Sequence, residues 1–171
     1  MPDQRVVVLV GLPASGKSTW VAERGGVAIS SDELRRWLRD DAADQSIHGV
    51  VFRLMREFVR LRITLGAPVT YVDATNLTRK HRRPFVKIAE HMGCICEAVF
   101  FDVSVDVCVS RNEQRDRKVP AAAIRAMAER LQAPSENEGF ANVTLVYAQP
   151  PDSRSRSAGM NAPPPGGTIS G

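Results

Sequence analysis

The chain has 171 residues with a formal net charge of +4, and 43% of them are apolar, which suits one globular domain with its own core. No apolar run reaches the ~20 residues that would cross a bilayer, and the start of the sequence lacks the features of a signal peptide. The cysteines Cys94, Cys96 and Cys108 fit no zinc pattern and predict free thiols, so we expect a cytoplasmic protein.

Apolar periodicity predicts strands that alternate with helices. In chain order the pattern predicts a strand over Arg5–Val10, a helix over Gly16–Arg24, a strand over Val27–Ser30, helices over Asp32–Arg39 and Ile47–Leu65, a strand over Val69–Asp73, a helix within Thr78–Met92, a strand over Ile95–Phe101, helices over Val105–Arg115 and Pro120–Gln132, and a strand over Val143–Tyr147. This order indicates an α/β fold with a mostly parallel five-stranded sheet and helices on both faces. We expect residues 1–148 to form the domain and residues 149–171, rich in Pro, Gly and Ser, to be a disordered tail.

A phosphate-binding motif, G-x-x-x-x-G-K-S, occupies residues 11–18 between the first strand and the first helix. Its glycines let successive backbone N–H groups point at phosphate oxygens, and that strand-to-helix context predicts a P-loop NTPase fold. The Lys17 ammonium would reach the β- and γ-phosphates, and the Ser18 hydroxyl would bind magnesium. The residues that we expect to hold ATP and Mg²⁺ here are Gly11, Pro13, Ala14, Ser15, Gly16, Lys17, Ser18 and Thr19.

A carboxylate and an arginine follow the second predicted strand. In parallel α/β sheets, ligands bind beyond the carboxyl ends of the strands, so Asp32 could accept a proton from an attacking hydroxyl. Arg35 lies one helical turn later on the same face and could hold a phosphate of the acceptor. The alternative is structural, because Asp is also a favoured N-cap of a helix.

The third strand also ends in polar residues. Asp73 resembles a position that holds magnesium directly or through water, together with Ser18, and Thr75 and Asn76 could orient a substrate. A capped turn before the next helix is the alternative, because Asp, Thr and Asn are all turn formers.

Two arginines near the end of a later helix predict a helical lid. Arg111 and Arg115 lie four residues apart and so share one helix face. Arginines on a mobile lid commonly neutralise a transferring phosphoryl group and would also contact the nucleotide. Basic residues at a solvated helix end are the ordinary alternative.

Taken together, these motifs resemble the P-loop polynucleotide 5′-hydroxyl kinases, both the phage type and the kinase module of bacterial RNA-repair enzymes. The resemblance runs from Val6 to about Tyr147 and rests on the P-loop, S-x-D-x-x-R at residues 30–35, D-A-T-N at residues 73–76, R-N-x-x-R at residues 111–115 and Glu138-Gly139-Phe140.

The resemblance implies an ATP-dependent kinase that phosphorylates 5′-hydroxyl ends of DNA or RNA. For the matching residues it implies that Asp32 is the general base and that Arg35 grips the phosphate of the terminal nucleotide. Arg115 would stabilise the transferring phosphoryl group with support from Arg111, while Lys17 would serve ATP.

Other functions and acceptors stay open at the level of sequence. Related P-loop kinases of small metabolites, antibiotics or proteins share much of this pattern, and an ATPase or an ATP-gated binding module is a further alternative. Basic residues at 53, 56 and 60 and at 79–83 suit a nucleic-acid backbone or a solvated helix face. Trp37 is a candidate for base stacking, whereas packing is the expected role of Trp20.

Overall fold

The fold is known from a computed structural model that describes residues 4–148, so the predicted tail at 149–171 lies outside the described residues. The strands are β1 (Arg5–Val10), β2 (Ala28–Ser30), β3 (Val69–Asp73), β4 (Ile95–Asp102) and β5 (Asn142–Tyr147). The helices are α1 (Lys17–Ala22), α2 (Ser31–Arg39), α3 (His48–Thr64), α4 (Arg79–His91), α5 (Val105–Glu113) and α6 (Ala121–Arg130), with a 3₁₀ turn at Glu136–Glu138.

The five strands form one sheet in the order β2-β3-β1-β4-β5, and every neighbouring pair is parallel. β1 lies at the centre because its apolar run has no polar face to turn to solvent. Its Val6, Val8 and Val10 enter one core layer with α3 and α4. Val7 and Leu9 enter the other layer with α1, α5 and α6. The predicted α/β fold is confirmed, and the sheet is wholly rather than mostly parallel.

Every predicted helix and strand is present, and its ends lie within two residues of the prediction. α5 ends at Glu113 and not at Arg115, so the second predicted lid arginine lies outside the helix. α4 lies within its predicted range and carries Pro84 as its sixth residue. The predicted free thiols are confirmed, and burial raises the pKa of the Cys96 thiol to about 12. No helix within residues 4–148 combines the length and the apolar character that crossing a membrane requires.

A buried ion pair fastens α4 to the turn before β5. The Arg82 side chain is fully buried, and its Nε donates to Oε2 of Glu138 at 2.8 Å while its Nη2 donates to Oε1. Its Nη1 donates to the carbonyl oxygens of Asn76, Leu77 and Gln132. Sequence reasoning grouped this arginine with a surface cluster that could face nucleic acid, and that grouping is wrong for Arg82. Its guanidinium instead joins three segments of chain inside the domain.

This ion pair gives a prediction for stability. Arg82→Met keeps most of the side-chain volume but leaves the buried Glu138 carboxylate without its cation, which typically costs about 3–5 kcal/mol. We expect urea unfolding to report a loss of that order in the free energy of unfolding. The exposed neighbour provides the control, since Arg83→Met should change it by less than about 0.5 kcal/mol. Equal effects of the two changes would show that the ion pair does not stabilise the fold.

Candidate active site at the carboxyl edge of the sheet

The loop after β1 has the backbone shape that its sequence predicts. Position 11 requires glycine, because a Cβ there would lie only 2.8 Å from Oγ of Ser15 and 2.9 Å from Cβ of Phe101. Gly16 adopts a φ of 101° as the residue that precedes α1, and Ala14 adopts a φ of 60°. Ala14 therefore occupies the left-handed region without being glycine.

Lys17 lies at the centre of this loop. Its Nζ donates to the carbonyl oxygens of Gly11 at 3.0 Å and Leu12 at 2.7 Å, with Oγ of Ser15 at 3.4 Å. Burial lowers the pKa of Lys17, and the nearby carboxylate of Asp73 opposes that shift. The loop's own oxygens thus hold an ammonium in a dry setting, where its attraction for a phosphate is stronger than in water.

Two oxygen groups meet where β3 ends beside α1. The Ser18 hydroxyl donates to Oδ2 of Asp73 at 2.6 Å, and Asp73 is buried. Hydroxyl and carboxylate oxygens are suitable ligands for Mg²⁺, which usually takes few protein ligands together with phosphate oxygens and water. Among residues 4–148 there is no cluster of three or more His, Cys, Asp or Glu side chains that could hold a metal. The pair therefore fits a magnesium ion that a nucleotide helps to bind.

Asp32 and Arg35 lie at the start of α2. The cap of this helix is Ser30, whose Oγ accepts from the backbone N–H of Glu33 at 3.4 Å, so the N-cap position considered for Asp32 belongs to another residue. The Asp32 carboxylate is 40% exposed and accepts from Nη1 of Arg35 at 3.3 Å. Arg35 is itself buried, which lowers its pKa, although Asp32 opposes the shift.

The two residues expected to orient substrate after β3 lie in different surroundings. Thr75 lines the cavity described below, and its carbonyl oxygen accepts from the N–H of Gly11 at 3.1 Å. Asn76 is buried with a φ of 47°, and its Nδ2 donates to the carbonyl oxygen of Leu9 at 2.7 Å. Since its amide joins the ends of β3 and β1, Asn76 does not face the cavity, contrary to its expected contact with substrate.

The lid consists of the end of α5 and the following residues 114–118, which we call the arginine loop. Its base is fixed by Asn112, whose Nδ2 donates to the carbonyl oxygen of Val119 at 2.7 Å and whose Oδ1 accepts from the Val119 N–H at 2.9 Å. Because this amide draws the chain back on itself, the helix stops before Arg115. Arg111 on the helix and Arg115 on the loop both line the cavity, so the lid is only partly helical.

Sequence reasoning missed a third lid residue. Nη1 of Arg117 lies 2.5 Å from Oδ2 of Asp32, which brings together residues 85 positions apart. Arg117 was visible in the sequence as one of several basic residues and had no assigned role. No local pattern signals this contact, because the two partners are far apart along the chain.

One continuous cavity of about 1130 Å³ joins these groups at the carboxyl edge of the sheet. That volume exceeds the roughly 300–1,000 Å³ of a typical site for one small molecule, so the cavity has room for two substrates. Of the site residues predicted from sequence, all except Gly11 and Asn76 line it.

The far wall of the cavity is aromatic and was not predicted. The His48 ring lies 4.4 Å from the ring of Phe52, and Nδ1 of His48 is 3.5 Å from Nη2 of Arg35. His81 also lines this wall, and burial lowers the pKa of both histidines. Trp37 is 70% exposed and lies outside the cavity lining, whereas Trp20 packs edge-on between two aromatic rings of the core, as expected.

Comparison with known proteins adds family and fold. A family model described as an AAA domain matches residues 6–134. The transcription factor bHLH140 of Arabidopsis thaliana is 28% identical over 85% of this chain and 16% of its own length. The bifunctional polynucleotide phosphatase/kinase of Schizosaccharomyces pombe is 26% identical over 84% of this chain and 33% of its own. The chain thus spans between about a sixth and a third of these curated relatives.

Solved structures share the fold. One is the Pnkp1/Rnl/Hen1 RNA repair complex, in which a chain superposes with a TM-score of 0.66 at 22% identity, over 77% of this chain and 45% of that one. A gluconokinase, an APS kinase and a sugar kinase also have similar folds. The match to the family model covers most of the described residues, and the parallel sheet with its P-loop is common to these kinases. The chain therefore belongs to the AAA domain family and has the fold of a P-loop kinase.

Proposed function

We propose that this protein is an ATP-dependent kinase that transfers the γ-phosphate of ATP to a 5′-hydroxyl end of DNA or RNA. One observation carries the proposal: a carboxylate and a buried arginine, Asp32 and Arg35, share a single cavity with the P-loop ammonium of Lys17. An enzyme that only hydrolyses ATP needs no cation for an acceptor phosphate. A kinase of a phosphate-bearing acceptor needs both a base and such a cation.

On the donor side, the P-loop would bind the phosphates of ATP through backbone N–H groups and the Lys17 ammonium. The Ser18 hydroxyl and the Asp73 carboxylate would hold magnesium, which neutralises charge on the β- and γ-phosphates when bound. The Lys17 ammonium donates to oxygens of the loop, so it would exchange part of these hydrogen bonds for phosphate oxygens when ATP binds.

On the acceptor side, the 5′-hydroxyl oxygen would attack the γ-phosphorus while its proton passes to the Asp32 carboxylate. The bond between the γ-phosphorus and the oxygen that bridges it to the β-phosphorus breaks, and ADP leaves with the electron pair. Arg35 would hold the phosphate of the terminal nucleotide, and Arg115 would stabilise the transferring group with Arg111 beside it. These roles use groups that line one cavity.

Two observations favour a nucleic-acid end over a small metabolite. The far wall presents the ring of His48 against Phe52, a surface on which a base could stack. The relatives include the fission-yeast polynucleotide phosphatase/kinase and a Pnkp1 complex. Kinases of sugars and of APS have the same fold, so a small hydroxyl compound is the alternative acceptor.

The first test supplies γ-labelled ATP and magnesium with a panel of acceptors. We expect label on 5′-hydroxyl oligonucleotides and none on oligonucleotides that already carry a 5′-phosphate. Sugars and adenylyl sulfate are assayed in parallel as the alternative acceptors. If only one of those compounds became labelled, it would be the acceptor and nucleic acid would not. Release of labelled phosphate with every acceptor would indicate an ATPase.

Asp32→Asn tests the proposed base. The amide keeps the side-chain shape but cannot take a proton, so turnover should fall by about 10²–10⁴ while ATP affinity changes little. Asp40→Asn is the matched control, because it makes the same change at the exposed C-cap of the same helix and outside the cavity, and it should keep full turnover. Near-normal transfer by Asp32→Asn would remove this carboxylate from the chemistry.

Arg115→Ala tests the arginine loop. If Arg115 acts mainly on the transferring phosphoryl group, turnover should drop by about 10³ or more, with a far smaller change in the dissociation constant of ATP. Single-turnover rates and nucleotide titrations separate the two effects. A proportional loss of both would instead make Arg115 a residue that binds ATP in the ground state.

A further inference from the structure

The Asp32 carboxylate is held from both sides. Its Oδ1 accepts from Nη1 of Arg35, which comes from its own helix, and its Oδ2 accepts from Nη1 of Arg117, which comes from the arginine loop. The contact to Arg117 is the shorter of the two, at 2.5 Å against 3.3 Å. Both oxygens of the carboxylate are therefore engaged by guanidinium groups.

The charges in this cluster do not balance. Two guanidinium groups share one carboxylate, which leaves an excess of one positive charge in a partly buried setting. The side chain of Arg35 is 5% exposed and that of Arg117 is 27% exposed. A partly desolvated excess of cations favours binding of an anion, and paired guanidinium groups suit a phosphate in particular.

Hydrogen bonding in the cluster is incomplete as well. Within residues 4–148, three buried side-chain polar atoms have no hydrogen-bond partner, and two of them are Nε of Arg35 and Nε of Arg117. Both atoms belong to the guanidinium groups that hold Asp32. A buried donor without an acceptor is unfavourable, so both arginines gain by moving toward an additional acceptor group.

Arg117 also shares its loop with the residue proposed to act on the γ-phosphate. Asn112 and Val119 fix the base of the arginine loop, and Arg115 and Arg117 stand two residues apart within it. One short segment therefore reaches the P-loop side of the cavity with one arginine and Asp32 with the other.

We propose that Arg117 recognises the acceptor, and that with Arg35 it forms a clamp for a phosphate group adjacent to the hydroxyl that is phosphorylated. Without an acceptor, Arg117 stays on Oδ2 of Asp32. When a 3′-phosphate or phosphodiester of the terminal nucleotide binds, Arg117 moves to the phosphate and leaves Oδ2 open to the hydroxyl proton. This inference rests on the proposed function, in which Arg35 already holds the acceptor phosphate, and adds Arg117 as a second residue that recognises it.

The clamp makes substrate selection and base release one event. An acceptor with a hydroxyl but no neighbouring phosphate cannot draw Arg117 away, so it meets a base that is still paired. Selection would then appear in kcat/KM for the acceptor and not in the affinity for ATP. A residue that merely stabilises the fold would affect all acceptors and ATP alike.

The experiment compares adenosine 3′-monophosphate with adenosine as acceptors for the wild type, Arg117→Gln, Arg117→Lys and the control Arg125→Gln. Arg125 is an exposed α6 residue, paired with Asp106 and outside the cavity lining. We expect wild type to prefer the 3′-monophosphate and Arg117→Gln to reduce that preference in kcat/KM by about 10- to 100-fold, the range for a charged hydrogen bond. Arg117→Lys should restore part of it, and Arg125→Gln should leave it unchanged.

Binding separates this inference from the proposed function. Calorimetry with a non-hydrolysable ATP analogue measures the same preference without any transfer. If wild type binds the 3′-monophosphate better than adenosine and Arg117→Gln reduces that difference, but no label is transferred, the clamp stands and the kinase proposal falls. If wild type binds both equally, or Arg117→Gln weakens both equally, the clamp is refuted even where transfer to oligonucleotides occurs.

Discussion

The constraint on which this structure depends is the burial of β1 on both faces. Its alternating side chains supply both core layers, and it pairs in parallel with β3 on one side and β4 on the other. A strand with no polar face must be covered by helices on both sides, and parallel neighbours then need crossover connections. Because all the strands are parallel, the loops that follow them leave from the same edge of the sheet. The P-loop, Asp32 and Asp73 meet at that edge.

The same arrangement explains the electrostatics of the site. Helices on both faces exclude water from the end of β1, so the Lys17 ammonium is buried and depends on the loop carbonyls for its hydrogen bonds. The surroundings of Asp32 are more open, since its side chain is 40% exposed and is held by Arg35 and by Arg117 of the arginine loop. The two groups differ in burial because Lys17 follows the central strand β1, whereas Asp32 follows the edge strand β2.

Local patterns predicted much of this molecule. The β-branched run at residues 5–10 and the glycine spacing after it are short-range signals, and they foretold the central strand and the P-loop. The i, i+3 spacing of Asp32 and Arg35 likewise placed the two side chains on one face of their helix. Failures came where a side chain finds a partner far along the chain. Nothing near Arg82 in sequence reveals that it is buried against Glu138.

Long-range partners also explain the errors at the site itself. Asn76 turns its amide to Leu9, 67 residues away, instead of to the cavity, and the link between Arg117 and Asp32 spans 85 positions. The end of α5 was misjudged because helical periodicity continues to Arg115, whereas the amide of Asn112 turns the chain earlier. Helix propensity depends on the local segment, whereas a tertiary contact with a distant residue can override it.

The burial of Arg82 has a consequence for synthesis of the chain. Glu138 leaves the ribosome 56 residues after Arg82, so throughout that interval a nascent α4 carries a guanidinium without its carboxylate. Burying that cation alone is unfavourable, and α4 therefore cannot settle against the sheet until the segment before β5 has been translated. Cotranslational folding of this domain would accordingly finish in a late, single step, with β5 and α4 locking together once the chain through β5 has emerged.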